Sequence, residues 1–514
     1  MDIIQFQDRV ASLNTDKLFA LYRECTPKVL VVTDTLNFSS AQAFGLSQFV
    51  NSLKAGKIHN MTPIVTTASL VNDPAADLKN YAFDDATTGL VKSRYDVVFL
   101  FGARSEGVST LPAPQVTVIN KFMQDGGGVF ATGDHDTLGA SLCGDILRVR
   151  GMRRWKAAST PPNAGSTTRF STNLSGSDET EEFADQSDLN PQRLYLNFRT
   201  TTGGVGNPHP LMQAKAPRRA IEVFPDHPHE GECLFPSVAA LPITEWPKDS
   251  IGGTVSPEAV AMSVSHGDGF AGKQALVPKL FAAVSAYDGH RANVGRVSTD
   301  STWHHFININ LDGTGAGGGL TGLQAPAGTD TDALTRIRQY YVNIATWLMP
   351  KTVRRCLRFP VLVNELSRFP LFEELVLRPI EQANGAELQQ IGALLVRSLA
   401  VHVPAWEAQT LLADALEDAL GEAEALRVSS QDLATGNFDA QPLALAALGG
   451  IVTSVATELA QMKSVEEITP HKSFEGGAVS AARTGAKLLL SQQREGLKVI
   501  DELLSRLEKP LVAR

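Results

Sequence analysis

Histidine and carboxylate side chains carry most of the chemical capacity of this chain. They are concentrated in its middle, where eight of the eleven histidines fall between His135 and His305. Three segments stand out. Gly133-Asp134-His135-Asp136 follows a short apolar run and sits where a strand would hand over to a helix. Asp226-His227-Pro228-His229-Glu230-Gly231-Glu232 places two imidazoles and three carboxylates in seven residues. If that segment is extended, His227 and His229 share one side, because alternate residues of an extended chain point the same way. Asp300-Ser301-Thr302-Trp303-His304-His305 adds a further pair of imidazoles and a carboxylate. Neutral imidazole and carboxylate are the usual ligands of zinc, manganese, iron or nickel, and carboxylates also orient ligand rings from behind. The pattern therefore points to a divalent metal held by His135, His227, His229, Glu230 and one of His304 or His305. Asp134 or Asp136 would then act as a general base or orient a ring, with His135 and Glu230 also in reach of the chemistry. Taken singly, each of these histidines is better explained structurally, His135, His304 and His305 by a bond to a backbone carbonyl, and Asp134 and Asp136 by capping the next helix; it is the combined set that points to a site.

The remaining candidates are weaker. Cys143 and Cys233 are lone cysteines of the kind that usually fill small core spaces. His209 lies between Pro208 and Pro210, His266 lies near Asp268, and His290 sits in a turn-like Asp288-Gly289-His290-Arg291. Asp312 to Gly319 is glycine-rich but lacks the lysine of a phosphate-binding loop, so it reads as an ordinary loop.

The elements that must position these groups read as an alternation of strands and helices. Strands are expected at Lys28–Asp34, Thr62–Ala68, Asp96–Gly102 and Val129–Thr132, with helices at Ser39–Leu53 and Gln115–Gln124 between them. Further strand-like patterning appears at Ala220–Phe224, Ala259–Val264 and Gly295–Leu311. A helix from Thr331 to Leu348, ended by Pro350, closes the series. Such an alternation predicts right-handed crossovers and a doubly wound parallel sheet, an α/β fold. Ligands bind such sheets at the carboxyl ends of their strands, which is where Asp134 and Asp300 fall.

The expected organisation is a helical lead-in over 1–27, an α/β domain over 28–350 with an insertion or lid at 156–206, and an all-helical domain over 351–514. In this last part leucine and alanine recur at helical spacing, as in Leu388, Ile391, Leu394 and Leu395. Such stripes must bury against each other or a partner, so this part is assigned to association, in a homo-oligomer or with another protein. His402 and His471 are isolated there and are read as structural.

Composition narrows the function classes. With 46 basic and 55 acidic side chains the formal charge is −9, which argues against a general binder of the nucleic-acid backbone. The one dense basic run, Arg148, Arg150, Arg153, Arg154 and Lys156, is expected to cap a helix end and pair with nearby carboxylates. The apolar stretch Leu443–Ala456 is shorter than a bilayer span of about 20 residues and reads as a buried helix. The first ten residues lack the layout of a secretory signal. The four cysteines, Cys25, Cys143, Cys233 and Cys356, show no CxxC spacing and suggest neither a thiolate metal site nor a disulfide framework. A cytoplasmic location is the expectation that follows.

The run Tyr95–Asp136, with YDVVFLFG, a helix and then GGGVFATGDHD, resembles the class I glutamine amidotransferase-like superfamily, and within it the trehalose-utilisation (ThuA-like) branch. The later GRVSTDSTWHHF looks like the late strand of that fold, which contributes a histidine to the cleft. The resemblance covers residues 28–155 and 290–350. It implies a flavodoxin-like parallel sheet with a functional strand-to-helix elbow. Members that hydrolyse glutamine carry a nucleophilic cysteine at the elbow. Here that place is taken by Gly133-Asp134-His135-Asp136, so the resemblance carries the fold rather than glutamine hydrolysis. The function expected from these readings together is metal-assisted hydrolysis of a small molecule. The alternative is a ligand-binding, sensing or assembly-forming protein whose helical part mediates association.

Overall fold

A computed structural model describes residues 22–135, 137–155, 191–199, 206–215, 220–225, 231–239, 241–265, 279–315, 323, 331–368, 379–435, 439–461 and 472–508. The short apolar runs read from the sequence become strands β1 (Lys28–Thr33), β2 (Ile64–Ser69), β3 (Val97–Phe101) and β4 (Gly128–Thr132). Between them lie α1 (Ser47–Ala55) and α2 (Ala113–Gln124), and short helices α3 (Ala140–Cys143) and α4 (Val149–Met152) follow β4. Next come β5 (Gln192–Leu196), β6 (Phe198–Arg199), β7 (Asn207–Pro208), β8 (Val223–Phe224), β9 (Glu258–Ser265), β10 (Lys279–Tyr287) and β11 (Val297–Asp300). Helices α5 (Asn308–Asp312) and α6 (Asp332–Leu348) complete this part.

Nine strands form one sheet in the order β2-β1-β3-β4-β11-β10-β9-β5-β8. The first five run parallel, with Val29 opposite Val65 and Val97, and Val129 opposite Val297. Both faces of this half are covered, which is why its strands are apolar at successive positions rather than alternating. Val29, Val31, Phe99 and Phe101 pack with Phe49 of α1 and Tyr341 of α6 on one face. Leu30, Val32, Val98 and Leu100 pack with Phe122 of α2 and Trp155 on the other.

The purely parallel sheet expected from the sequence is corrected by the second half. There β11, β10, β9, β5 and β8 pair antiparallel in succession. Residues 295–311 also depart from a continuous strand. After Asp300 the chain turns into a short 3₁₀ segment at Trp303–His305 and then α5. Side chains divert it: the Asp300 carboxylate accepts from the Thr302 amide at 3.3 Å and the Thr302 hydroxyl accepts from the His304 amide at 3.0 Å. Such local bonds offer the backbone an alternative to the ladder. The first expected helix likewise begins at Ser47 rather than Ser39, because Asn37 and Ser39 bond their own downstream amides and hold that stretch as turns.

From Lys351 onward the described residues build helices α7 (Lys351–Arg368), α8 (Gly385–His402), α9 (Ala405–Leu420), α10 (Glu422–Thr435), α11 (Gln441–Gln461) and α12 (Lys472–Glu508). They share a separate apolar core that includes Leu362, Leu395, Ala415, Leu448, Val452 and Ala482. Asn384 and Glu387 form a reciprocal cap on α8. Close approach of α8 and α11 depends on small residues, since a Cβ on Gly392 or Gly449 would strike the backbone of Leu445 or Leu388. Helix α11 is long and apolar enough to cross a membrane by composition, yet 72% of that window is buried within the protein, as the sequence reading of a core helix requires. Buried ion pairs bind α7 to α9: Arg354 grips Asp414 with two bonds of 2.6 and 2.7 Å, and Arg358 pairs with Asp418.

The cysteines correct another expectation. Cys25 and Cys356 form a disulfide with Cα atoms 6.0 Å apart, joining the segment before β1 to α7 across 331 residues of sequence. Spacing rules cannot see a pair so far apart.

Candidate functional site

The carboxyl ends of β4 and β11 lie side by side, and the Thr132 hydroxyl donates to the Asp300 carbonyl at 3.2 Å. The chain leaves β4 through a tight loop that returns on itself, and Gly139 closes it with φ +96°, a conformation that strongly favours glycine. A Cβ at Gly139 would also press on Gly133 and Trp155. This loop fixes Asp134, which is fully buried. One carboxylate oxygen of Asp134 accepts from the Thr302 hydroxyl at 2.6 Å. The other lies 2.8 Å from His135 Nδ1 and 3.6 Å from His304 Nε2. Burial opposes ionisation of Asp134, but the His304 and His135 imidazoles and their hydrogen bonds outweigh it and hold the carboxyl well below its usual range. The His135 side chain is 30% exposed and His304 10%, so of the imidazoles on this carboxylate His135 is the one a solute can reach.

His304 is held by its neighbours. Its Nδ1 lies 3.2 Å from Asn310 Oδ1 and its ring stacks on Trp303 at 4.4 Å. Phe44, 44% exposed, meets the Trp303 and His304 rings edge-on and forms an apolar rim.

A second carboxylate–imidazole pair lies at the end of β11. His305 Nδ1 is 2.6 Å from Asp300 Oδ1, and the Tyr340 hydroxyl of α6 donates to the other Asp300 oxygen at 2.7 Å. Burial and the Asp300 charge push the Tyr340 phenol well above its ordinary value, so it stays a donor. His305 is wholly buried, and its Nε2 has no hydrogen-bond partner among the described residues. A histidine whose Nδ1 is fixed by a carboxylate and whose Nε2 is left over has the arrangement typical of a metal ligand or proton carrier.

Arg153 connects the two pairs from beneath. Its buried guanidinium donates to the carbonyls of Asp134 at 2.6 Å, Ser301 at 2.7 Å and Arg154 at 3.0 Å, and it stacks on Trp155. The basic run therefore divides. Arg150 pairs with the Glu245 carboxylate as expected, whereas the Arg148 guanidinium donates to the Glu245 carbonyl and to Gln124, and Arg153 braces the backbone of the site. Arg153 and Tyr340 were not legible as site residues. An arginine that serves carbonyls has no sequence signature, and Tyr340 is one of several aromatic residues on the buried face of α6.

The structure brings Asp134, His135 and His304 together, with Asp300 and His305 on the adjoining strand end. The two adjacent histidines turn to different carboxylates, so they are not joint ligands of one point. Asp136, His227, His229 and Glu230 lie outside the described residues, as do His266, Asp268 and His471. Described residues on either side of the 226–230 segment touch the site. The Phe224 ring lies 4.4 Å from that of His305, and Gly231 is pressed so closely against Arg153 and the Ser301 carbonyl that a Cβ would collide with them. Among the described residues no group of three His, Cys, Asp or Glu side chains is placed to hold a metal ion. Asp134 does not cap the next helix, whose N-cap is Gly139 without a side-chain bond.

The lone cysteines are not nucleophiles in this setting. Burial pushes the Cys143 thiol well above its ordinary value and that of Cys233 up to about 12. His209 is buried, with Nδ1 accepting from the Leu211 amide at 3.2 Å. His290 is buried in a 3₁₀ turn and neither ring nitrogen has a partner among the described residues.

In comparisons with known protein families and with curated proteins, the chain matched none.

Proposed function

We propose that the end of β4 and β11 is the centre of a metal-assisted hydrolase acting on a small molecule. The observation that carries this reading is Asp134: a fully buried carboxylate between two imidazoles, one of which, His135, is open to solutes. In this reading His135 moves the proton. Asp134 holds its ring through Nδ1 and stabilises the imidazolium form, the division of labour that makes a histidine an effective general base near neutral pH. Asp136 and Glu230 remain candidates for a second carboxylate at the same edge.

The metal would be held by His227, His229 and Glu230 together with His305 or His304; His135 joins them only if Asp136 or Glu230 takes over the proton transfer, because with Nδ1 on Asp134 its ring has only Nε2 left for either task. His305, oriented by Asp300, fits this role through its unpartnered Nε2 better than His304, whose Nε2 faces Asp134. A bound zinc, manganese, iron or nickel ion would acidify its water and polarise the substrate oxygen. Phe224 and Gly231, described on either side of residues 226–230, both lie against the site, which supports this ligand set.

The strand order β2-β1-β3-β4-β11 of the parallel half supports the reading of a flavodoxin-like sheet. It supports the resemblance to the amidotransferase-like superfamily and its ThuA-like branch. The separate apolar core beyond Lys351 supports an all-helical C-terminal domain, and a cytoplasmic location belongs to the same proposal.

The test is elemental analysis of the purified chain beside a His227→Ala, His229→Ala double variant and a His305→Ala variant. Close to one equivalent of metal in the parent and loss in the variants is the expected result. A metal-free parent with hydrolytic activity unaffected by chelators refutes the metal.

A ligand-sensing role is the second reading, favoured by a different observation. A cleft of about 320 Å³ separates the sheet from the helices, lined by His290, Trp347, Lys351, Arg354, Trp406 and Asp414. A ligand there would bridge the two cores and change how they sit together. Ligand-induced protection of Trp347 and Trp406 from quenching, with no catalysis, would favour it over the first reading.

A further inference from the structure

Helix α12 changes environment along its length. Ala478, Ala481, Ala482, Ala486 and Leu489 are buried against the helical core, and then every residue from Leu490 to Leu504 is exposed. An exposed helix ought to be polar on all sides. This one carries Leu490, Leu497, Ile500 and Leu504, which are 44%, 65%, 53% and 51% exposed. Their spacing of 7, 3 and 4 residues is the heptad repeat of a coiled coil, and the sequence continues it at Leu507. In heptad terms Leu490, Leu497 and Leu504 are a positions, and Gln493 and Ile500 are d positions.

We infer that this end of α12 pairs with the same segment of a second copy of the chain, as an antiparallel two-helix coiled coil. The charges flanking the stripe select both partner and direction. In a parallel pair, g positions face e positions of the partner. That sets Leu489 against Arg494, Gly496 against Asp501 and Leu503 against position 508, with no charge pair formed. In an antiparallel pair, a layers face d layers and e positions face e positions. Placing Leu497 on the partner's Ile500 brings Gln493 onto the partner's Leu504, and Arg494 directly beside the partner's Asp501. By symmetry each of these contacts occurs twice. The same register sets Lys487 against position 508, a glutamate in the sequence.

Neighbouring registers are penalised. Sliding by one heptad in either direction sets Arg494 against the partner's Arg494, or Asp501 against the partner's Asp501, and like charges across such a seam repel. In the favoured register the g-position Gly496 receives the partner's Leu503, a small residue facing a large one. A membrane surface is a poorer occupant, because residues 490–504 carry Arg494 and Lys498 against Glu495, Asp501 and Glu502, with no basic excess to attract anionic lipid. This inference narrows the association role assigned to the helical region and does not depend on the chemistry at β4 and β11.

Light scattering with size-exclusion chromatography on the full chain should give a dimer at tens of micromolar. Ile500→Asp should raise its dissociation constant at least about 30-fold, as expected of a central apolar anchor, and leave the helical content and melting of the protomer unchanged. Arg494→Glu and Asp501→Arg should each weaken the dimer about three- to tenfold, and the two together in one chain should restore it. For direction, chains carrying Gln493→Cys should cross-link to chains carrying Leu504→Cys. Neither should cross-link to itself, because identical positions then lie about 16 Å apart along the axis. A monomer at about 100 μM, or a dimer indifferent to Ile500→Asp, overturns the inference. So do self-cross-linking of the Gln493→Cys chain, which marks a parallel pair, a double charge exchange that fails to restore binding, and a monomer that floats with phosphatidylcholine–phosphatidylserine vesicles.

Discussion

Replacing Asp134 by asparagine tests the central claim about the site, because it preserves shape and removes charge. In the folded chain the carboxylate makes three contacts: Thr302 at 2.6 Å, His135 at 2.8 Å and His304 at 3.6 Å. The carbonyl of the introduced asparagine can keep the Thr302 bond. Its amide replaces a charged acceptor facing two imidazoles. Hydrogen bonds to a charged group contribute about 1.5–3 kcal/mol and neutral ones about 0.5–1.5 kcal/mol, so two such exchanges cost about 2–3 kcal/mol, from which relief of the buried charge subtracts. With a urea dependence of about 3 kcal/mol per molar, the unfolding midpoint should fall by about 1 M.

The sign of the pH dependence follows from the depressed folded-state pKa of Asp134. A carboxyl that ionises more readily when folded stabilises the protein at pH values above its unfolded pKa, and this contribution is lost as pH falls through the folded one. The difference between parent and variant should therefore hold from pH 7 to about pH 4 and shrink only below that. Urea titrations followed by tryptophan fluorescence at several pH values measure it. A variant within about 0.5 kcal/mol of the parent at pH 7, or a gap that does not shrink below about pH 4, would refute the claim that Asp134 is an ionised carboxylate stabilised by His135 and His304.

The remaining predictions concern separate parts of the molecule. His135→Ala should lower turnover of any hydrolysed substrate about 10²- to 10⁴-fold and also cost about 1–2 kcal/mol of stability, since it takes a hydrogen-bond partner from the buried Asp134 carboxylate; equal activity would remove His135 from the proton path. Burial, reinforced by Arg296, Arg354 and Lys351, holds His290 well below its ordinary value of 6.5, so the unfolded chain takes up a proton that the folded chain refuses. Stability should therefore fall as pH drops below about 6.5, by up to about 1.4 kcal/mol per unit from this group, and His290→Leu should flatten that slope in the same urea series. Digestion without reductant should release a Cys25–Cys356 linked peptide by mass spectrometry, and recovery of both as free thiols from freshly lysed cells would show that the pair is not joined there.

How much of this was legible beforehand varies with the range of the interaction. The apolar runs at Lys28–Thr33 and Val97–Phe101, the elbow after Thr132 and the cluster at Asp300–His305 were all readable, because each is a local pattern: β-branched runs make buried strands, and polar groups at their carboxyl ends meet ligands. Leucine and alanine at helical spacing were also readable beyond Pro350, where the described elements are helices that pack largely on one another, with Tyr22 and Cys25 joining their core and Trp406 packing against the sheet side. The heptad at the end of α12 is equally a property of the sequence, but only the structure showed that nothing in the described protomer covers it. Other features depend on residues distant in the chain. The antiparallel half of the sheet follows from pairings such as Val284 with Asp300, which no strand pattern encodes. The Asp134 carboxylate acquires its character from Thr302 and His304, 168 and 170 residues away in sequence, and Asp300 is fixed by Tyr340 from a helix on the sheet's face. Residue type supplied the imidazoles and carboxylates. Which imidazole each carboxylate holds, and which of them solvent can reach, was decided by the packing of the strands and helices that carry them, because hydrogen bonding and desolvation act through space over a few ångströms.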